Sequence, residues 1–291
     1  MKKGAVLAGV CLPALILLAG CRGKNNLRIA GGGMVKNAAL VTENTESALA
    51  VELPLITDRE LRDVEVTDTH LSGEGALRFD YKGMTEGGRY KGYYYYFMHF
   101  SALVSREEKT DLKVESIDLL ADGESVKYRP DTLTFMNSEA YFGEEVCAVG
   151  DALLYEEAPV LLKGTIPDDP DHPEYFSLEV NRDCTLREFC SIGILDLVNV
   201  EIQVNGVPQP LDDSGISLHE GDDVAVFYNL AYTGGSGPDT MVKTSWYMRY
   251  EEKDGRVFVL EEPQGFMVFN VKDDSFVKAY IDRLKEPEPA A

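Results

Sequence analysis

From Leu61 onward the chain reads as short runs in which apolar and polar residues alternate, separated by Gly, Asp and Lys clusters. "DVEVTD", "GALRFDY", "LKVESIDLL", "EYFSLEV", "LVNVEIQVNG", "DDVAVFYNLAY" and "GFMVFNV" each carry the period of two that half-buries a strand. In "WYMRYEEKDGRVFVL" a Lys-Asp-Gly turn joins two apolar runs, which predicts a hairpin. "RYKGYYYYFMHF" sets Tyr90, Tyr93, Tyr94, Tyr95, Tyr96, Phe97 and Phe100 along one expected strand, so alternate rings must face opposite sides. One face fills a core. The other either offers tyrosines to a protein or glycan ligand or lies under a helix or a neighbouring domain. A single stretch has a convincing helical period: in "DDSFVKAYIDRLKE", Phe276, Tyr280 and Leu284 share a face with Val277 and Ile281 beside them. Asp273, Asp274 or Ser275 can cap its start, and Arg283 and Lys285 suit the negative end of its dipole.

Strands this dense, with so little helix between them, predict a mainly β protein. The expectation is one or two antiparallel β-sandwich domains of immunoglobulin-like type with a short C-terminal helix. The prolines of "GTIPDDPDHPEYF" (Pro167, Pro170, Pro173) interrupt any ladder and mark the expected boundary. One domain then spans 48–167 and a second, with the helix, 175–285. Ser116 to Tyr128 and Asn199 to Leu211 both run through alternating apolar residues into Asp-Gly or Asn-Gly. The pair is either an internal duplication or two unrelated hairpins.

The beginning of the chain has a different texture. Lys2 and Lys3 precede an apolar run from Ala5 to Leu18 that Pro13 interrupts. That run falls short of the about 20 residues needed to cross a bilayer and has the layout of a secretory signal. At its end Leu18-Ala19-Gly20-Cys21 resembles the lipobox of bacterial lipoproteins. The resemblance covers the first two dozen residues. It implies that 1–20 are removed, that Cys21 carries a diacylglycerol on its sulfur, and that the protein is held on the outer leaflet of the cell membrane, facing away from the cytoplasm. Two or more acyl chains are what stable membrane residence requires. Residues 21–47, rich in Gly, Asn, Ser and Thr, then read as a flexible tether, and 286–291 ("EPEPAA") as a tail.

Charge narrows the partners. Fifty acidic residues face 28 basic ones, a net charge of −22, and loss of Lys2 and Lys3 makes the chain more negative still. Nucleic-acid binding depends on Lys and Arg neutralising phosphates, so it is excluded. The membrane is reached through Cys21 and not through a basic surface.

Chemistry is sparse. No GxxxxGK[ST] or GxGxxG spacing is present, so no nucleotide or other cofactor is expected. His70, His99, His172 and His219 stand far apart in the chain, and no zinc motif contains them, so no metal ligands are expected. Asp-rich "PDDPDHPE" and "LDDSG…HEGDD" offer oxygen ligands to calcium without an ordered register. Cys184 and Cys190 could close a short disulfide loop or stand as two small core residues, with Cys147 left over. The function these features support is a surface binding or structural lipoprotein without an evident catalytic residue. A glycan-directed hydrolase using an Asp/Glu pair is the alternative.

Overall fold

The computed structural model describes residues 26–39, 48–105, 108–143, 150–157, 173–191, 195–232, 241–244, 246–261, 266–269 and 275–285. Cys21 and the run before it, Cys147, His172, most of the proline-rich boundary and the 286–291 tail lie outside the described residues. In chain order the first strands are β1 (Ile29–Gly31), β2 (Met34–Ala39), β3 (Ala48–Thr57), β4 (Val64–Glu74), β5 (Leu77–Tyr90), β6 (Tyr93–Val104), β7 (Asp111–Ala121), β8 (Glu124–Tyr128) and β9 (Thr132–Asn137). After the short helix α1 (Ser138–Phe142) come β10 (Leu153–Glu157), β11 (Glu174–Val180), β12 (Cys184–Ser191), β13 (Leu195–Val204), β14 (Val207–Gln209), β15 (Ile216–Leu218) and β16 (Asp223–Tyr232). The last elements are β17 (Met241–Thr244), β18 (Trp246–Glu252), β19 (Val257–Glu261), β20 (Phe266–Phe269) and helix α2 (Ser275–Lys285).

These strands build two cores. In the first, the sheet β1-β3-β6-β5 packs on the sheet β20-β17-β2-β9-β7-β4, with β8 paired to β7. In the second, β10-β11-β16-β13-β14 packs on β15-β12-β18-β19. The pairs are antiparallel apart from β17 with β2 and β2 with β9. The protein is thus a mostly antiparallel β-sandwich with a short C-terminal helix. Strand β6 shows why: Tyr96, Met98, Phe100, Ala102 and Val104 are all buried, and the residues between them face the other way. Each large apolar side chain buried in this manner contributes about 1.5–3 kcal/mol, and the period of two delivers all of them to one face.

The units do not follow the expected boundaries. The stretch 21–47, read as a tether, contains β1 and β2, and β2 is flanked by β9 and β17. Its glycines misled: a Cβ on Gly31 would run into the Pro54 carbonyl and the Tyr128 ring, so glycine is there for close approach rather than looseness. Strand β10, expected to belong to the first unit, pairs with β11 and its Leu153 joins the second core. Strands β17 and β20 return to the first unit, and α2, expected to belong to the second, packs on β1 and β3.

The two similar hairpins share one device. Asp122-Gly123 (φ 47° and 83°) and Asn205-Gly206 (φ 52° and 75°) both have positive φ at the two turn positions, the requirement of the tight primed turn. Asp63 N–H donates to Asp122 Oδ1 at 3.0 Å while Asp122 N–H donates to the Asp63 carbonyl at 3.0 Å. Asp223 N–H donates to Asn205 Oδ1 at 3.0 Å while Asn205 N–H donates to the Asp223 carbonyl at 2.8 Å. The strand held in this way, β4, precedes its hairpin in the first unit, whereas β16 follows its hairpin in the second. That order is not the order of a tandem copy.

Candidate functional site

The aromatic strand is the feature around which a site can be sought. "RYKGYYYYFMHF" is not one strand: Tyr90 ends β5, Lys91 and Gly92 make the turn with φ of 48° and 90°, and Tyr93 opens β6. Alternation then divides the four tyrosines. Tyr94 and Tyr96 turn toward the first core, where Tyr96 Oη accepts the Leu61 N–H at 2.8 Å and the Arg89 guanidinium lies 4.4 Å from the Tyr94 ring centroid. Burial pushes the Tyr96 hydroxyl pKa up. Tyr93 and Tyr95 turn outward with Phe97, and there Val277, Tyr280, Ile281 and Leu284 of α2 pack with them and with Tyr90 and Ile56. The four tyrosines are therefore shared between a core and a helix interface.

Polar anchors fix the helix over this face. Tyr280 Oη donates to the Gly32 carbonyl at 3.2 Å. Arg283 forms two bonds with the Asp131 carboxylate, at 2.7 and 3.2 Å, and donates to the Gly31 carbonyl at 3.1 Å. Tyr128 Oη reaches the Pro54 carbonyl at 3.0 Å from beneath the same junction, and burial raises its pKa well above that of a free tyrosine.

Beyond Phe97 the outward face of this sheet turns polar. His99 pairs with Glu52 across β3 and with Gly83 across β5. Its Nε2 lies 2.8 Å from Thr85 Oγ1 and its Nδ1 3.5 Å from Glu52 Oε1, all three side chains being exposed or half-buried. The hydroxyl and the imidazole are hydrogen-bonded, and the carboxylate stands within ion-pair distance of the ring's other nitrogen. On three neighbouring paired strands, the cluster presents donors and acceptors to a molecule lying across them. Next along, Asp80 is held by Arg78 at 2.8 Å and Lys82 at 3.4 Å, and the Arg78 hydrogen bond leads in lowering its pKa. Sequence reading missed this cluster because Glu52, Thr85 and His99 come from three strands with no local motif, and only sheet register unites them.

Other sequence candidates fall elsewhere. Cys184 and Cys190 sit on one strand, β12, and both are free thiols. Six residues of extended chain put them about 20 Å apart, beyond the roughly 7 Å between Cα atoms that a disulfide tolerates, so of the two alternatives the bridge is ruled out and two separate thiols stand. Cys184 enters the second core, while Cys190 packs beside Tyr247 and donates to Glu188 Oε1 at 3.1 Å. Burial pushes each thiol pKa up to about 12. In the "LDDSG…HEGDD" loop the carboxylates serve the backbone. Asp212 accepts the Ser214 N–H at 2.8 Å, Asp222 the His219 N–H at 2.7 Å, and Asp183 the Glu220 N–H at 2.8 Å. A different trio, Asp68, His70 and Asp118, is the group among the described residues whose geometry could hold a metal ion.

Fold and face together define a mostly antiparallel β-sandwich protein with a helix laid over half of one outer sheet. No family model and no curated protein matches the chain. Among solved structures it is similar to the CupB6 tip adhesin from Pseudomonas aeruginosa, with a TM-score of 0.24 and 12% identity over 85% of this chain and 98% of that one. It is also similar to the Enterococcus faecalis MSCRAMM ACE, with a TM-score of 0.23 and 10% identity over 85% and 95%. A third likeness is to the YadV chaperone, with a TM-score of 0.16 and 8% identity over 81% and 98%. Scores this low carry no argument about ligand or activity, and the architecture stands on the sheets themselves.

Proposed function

We propose that this chain is a surface lipoprotein, anchored through Cys21 in the outer leaflet of a bacterial cell membrane, whose β-sandwich body binds a ligand or supports an assembly rather than catalysing a reaction. The observation that carries the reading is the sequence Leu18-Ala19-Gly20-Cys21 at the end of a basic-then-apolar leader. An acidic body suits the proposal, because a protein held by lipid needs no basic surface to reach the membrane. The polar part of the β3-β6-β5 face, with exposed Thr85 and half-buried Glu52 and His99 beside Phe97, is where a peptide or glycan would be met, since it offers hydrogen-bonding groups next to an aromatic ring.

Metabolic labelling with a radioactive fatty acid tests the anchor. The wild-type chain should carry label and sediment with membranes, and Cys21→Ser should lose both. Equal labelling of the two would remove the basis of the proposal.

A further inference from the structure

We propose that Asp68, His70 and Asp118 form a zinc-binding site on the outward face of strands β4 and β7, a site independent of the lipid anchor and of the aromatic face. The three residues belong to no sequence motif: Asp-x-His is too short to be one, and Asp118 stands 48 residues beyond His70.

A bulge makes the site. Val64, buried, starts β4 facing the core, and strict alternation would send Val66, residue 68 and residue 70 the same way. The register with β7 shifts between Val66 and Asp68, so Thr67 is the extra residue and every side chain after it changes sides. Asp68 then stands opposite Asp118, and His70 opposite Ser116, on the outward face. Strand β8 completes the row by placing Lys127 opposite Asp118 from the other side.

The ligand atoms converge. His70 Nε2 lies 2.8 Å from Asp118 Oδ2 and 4.0 Å from Asp68 Oδ2, and the three donor atoms all fall within 4.8 Å of one another. Zinc bonds of about 2.0–2.2 Å to nitrogen and oxygen separate neighbouring ligand atoms by about 3–3.5 Å, so shifts of less than an ångström or so bring the trio around an ion. Each carboxylate has its second oxygen occupied by a different partner. Thr69 N–H donates to Asp68 Oδ1 at 2.8 Å, and Lys127 Nζ lies 2.7 Å from Asp118 Oδ1. Those contacts orient the other oxygen of each carboxylate toward the imidazole, as outer partners of metal ligands do. One imidazole nitrogen with two carboxylate oxygens suits a borderline dication such as Zn²⁺, whereas Ca²⁺ prefers oxygen alone. All three side chains are at least partly exposed, so water or a donor from a partner can fill the remaining position.

Equilibrium dialysis of the full chain, carrying no histidine tag, against micromolar Zn²⁺ with elemental quantification tests the site. The expected result is one zinc equivalent whose affinity falls at least about tenfold in His70→Ala and in Asp68→Asn, while His99→Ala binds as the wild type does. Circular dichroism of each variant checks that it is folded, and both ligand positions are exposed enough for at least one to survive. Absence of zinc from the wild type, or an equivalent retained unchanged by both ligand variants, would overturn the proposal. Loss of that equivalent in His99→Ala instead would place the zinc elsewhere and overturn it too.

Discussion

Truncating Tyr280 to alanine separates the contribution of the C-terminal helix from that of the sheets. Tyr280 is fully buried, packs with Ile56 and the outward rings of β6, and donates to the Gly32 carbonyl. Removing a buried aromatic ring costs about 3–5 kcal/mol. Tyr280→Phe keeps the ring and removes only the hydrogen bond, for about 0.5–1.5 kcal/mol. With a urea m-value of about 1–3 kcal/mol/M, the alanine variant should unfold about 1–5 M earlier and the phenylalanine variant at most about half as far. The assay can tell the two cores apart, because the chain has one tryptophan and Trp246 is buried in the second core. Far-UV circular dichroism follows both units, whereas Trp246 emission follows the second. For Tyr280→Ala the dichroism transition should move ahead of the emission transition. If alanine shifts the midpoint no more than phenylalanine does, the ring is not docked as described and the argument fails.

Two further outcomes follow from titration chemistry. Because burial pushes the thiols of Cys184 and Cys190 up to about 12, neither should react with iodoacetamide at pH 8 in the folded chain, and both should react after urea unfolding; peptide mapping by mass spectrometry reads this directly. Asp183 is held down to about 2 from an ordinary 3.8, first by Lys253 and then by the Glu220 N–H. A carboxylate with a depressed folded pKa stabilises the fold above its unfolded value, and that contribution drains away as pH falls from about 4 toward 2. Lys253→Met should move the NMR midpoint of Asp183 upward, and an unmoved midpoint would discredit the assignment.

What the sequence disclosed was local. The alternation in β6 and the Asp-Gly, Asn-Gly and Lys-Asp-Gly turns could be read directly, because a strand face or a primed turn is decided within a few residues. The apolar stripe of α2 was equally legible, and Val277, Tyr280, Ile281 and Leu284 are all buried. Its destination was not. A helical period says that a face will be covered without saying by what, and the Tyr280 bond to Gly32 spans 248 residues. Strands β1 and β2 were lost for a related reason: three and six residues are too short to show a period, and they exist because partners far along the chain complete their hydrogen bonds, β3 beside β1 and β9 and β17 on the two sides of β2. The Glu52, Thr85 and His99 cluster needs sheet register, and the Asp68, His70 and Asp118 group needs a bulge, neither of which is written in residue spacing.

Strands β17 to β20 amount to a single long hairpin whose tip lies in one sheet and whose base lies in another: β18 and β19 pair in the second unit, β17 and β20 in the first. The path enters the second unit after β9, leaves it after β16, re-enters after β17 and leaves again after β19. Such a path has no single seam. One proteolytic nick in any of the four connections would leave both halves laced together by the others. Ending the chain near residue 167, as a two-bead organisation would permit, would strip β2 of β17, one of its two parallel neighbours, and remove the helix packed on the outward rings of β6. The two sandwiches are sewn to one another, and neither can be lifted out whole.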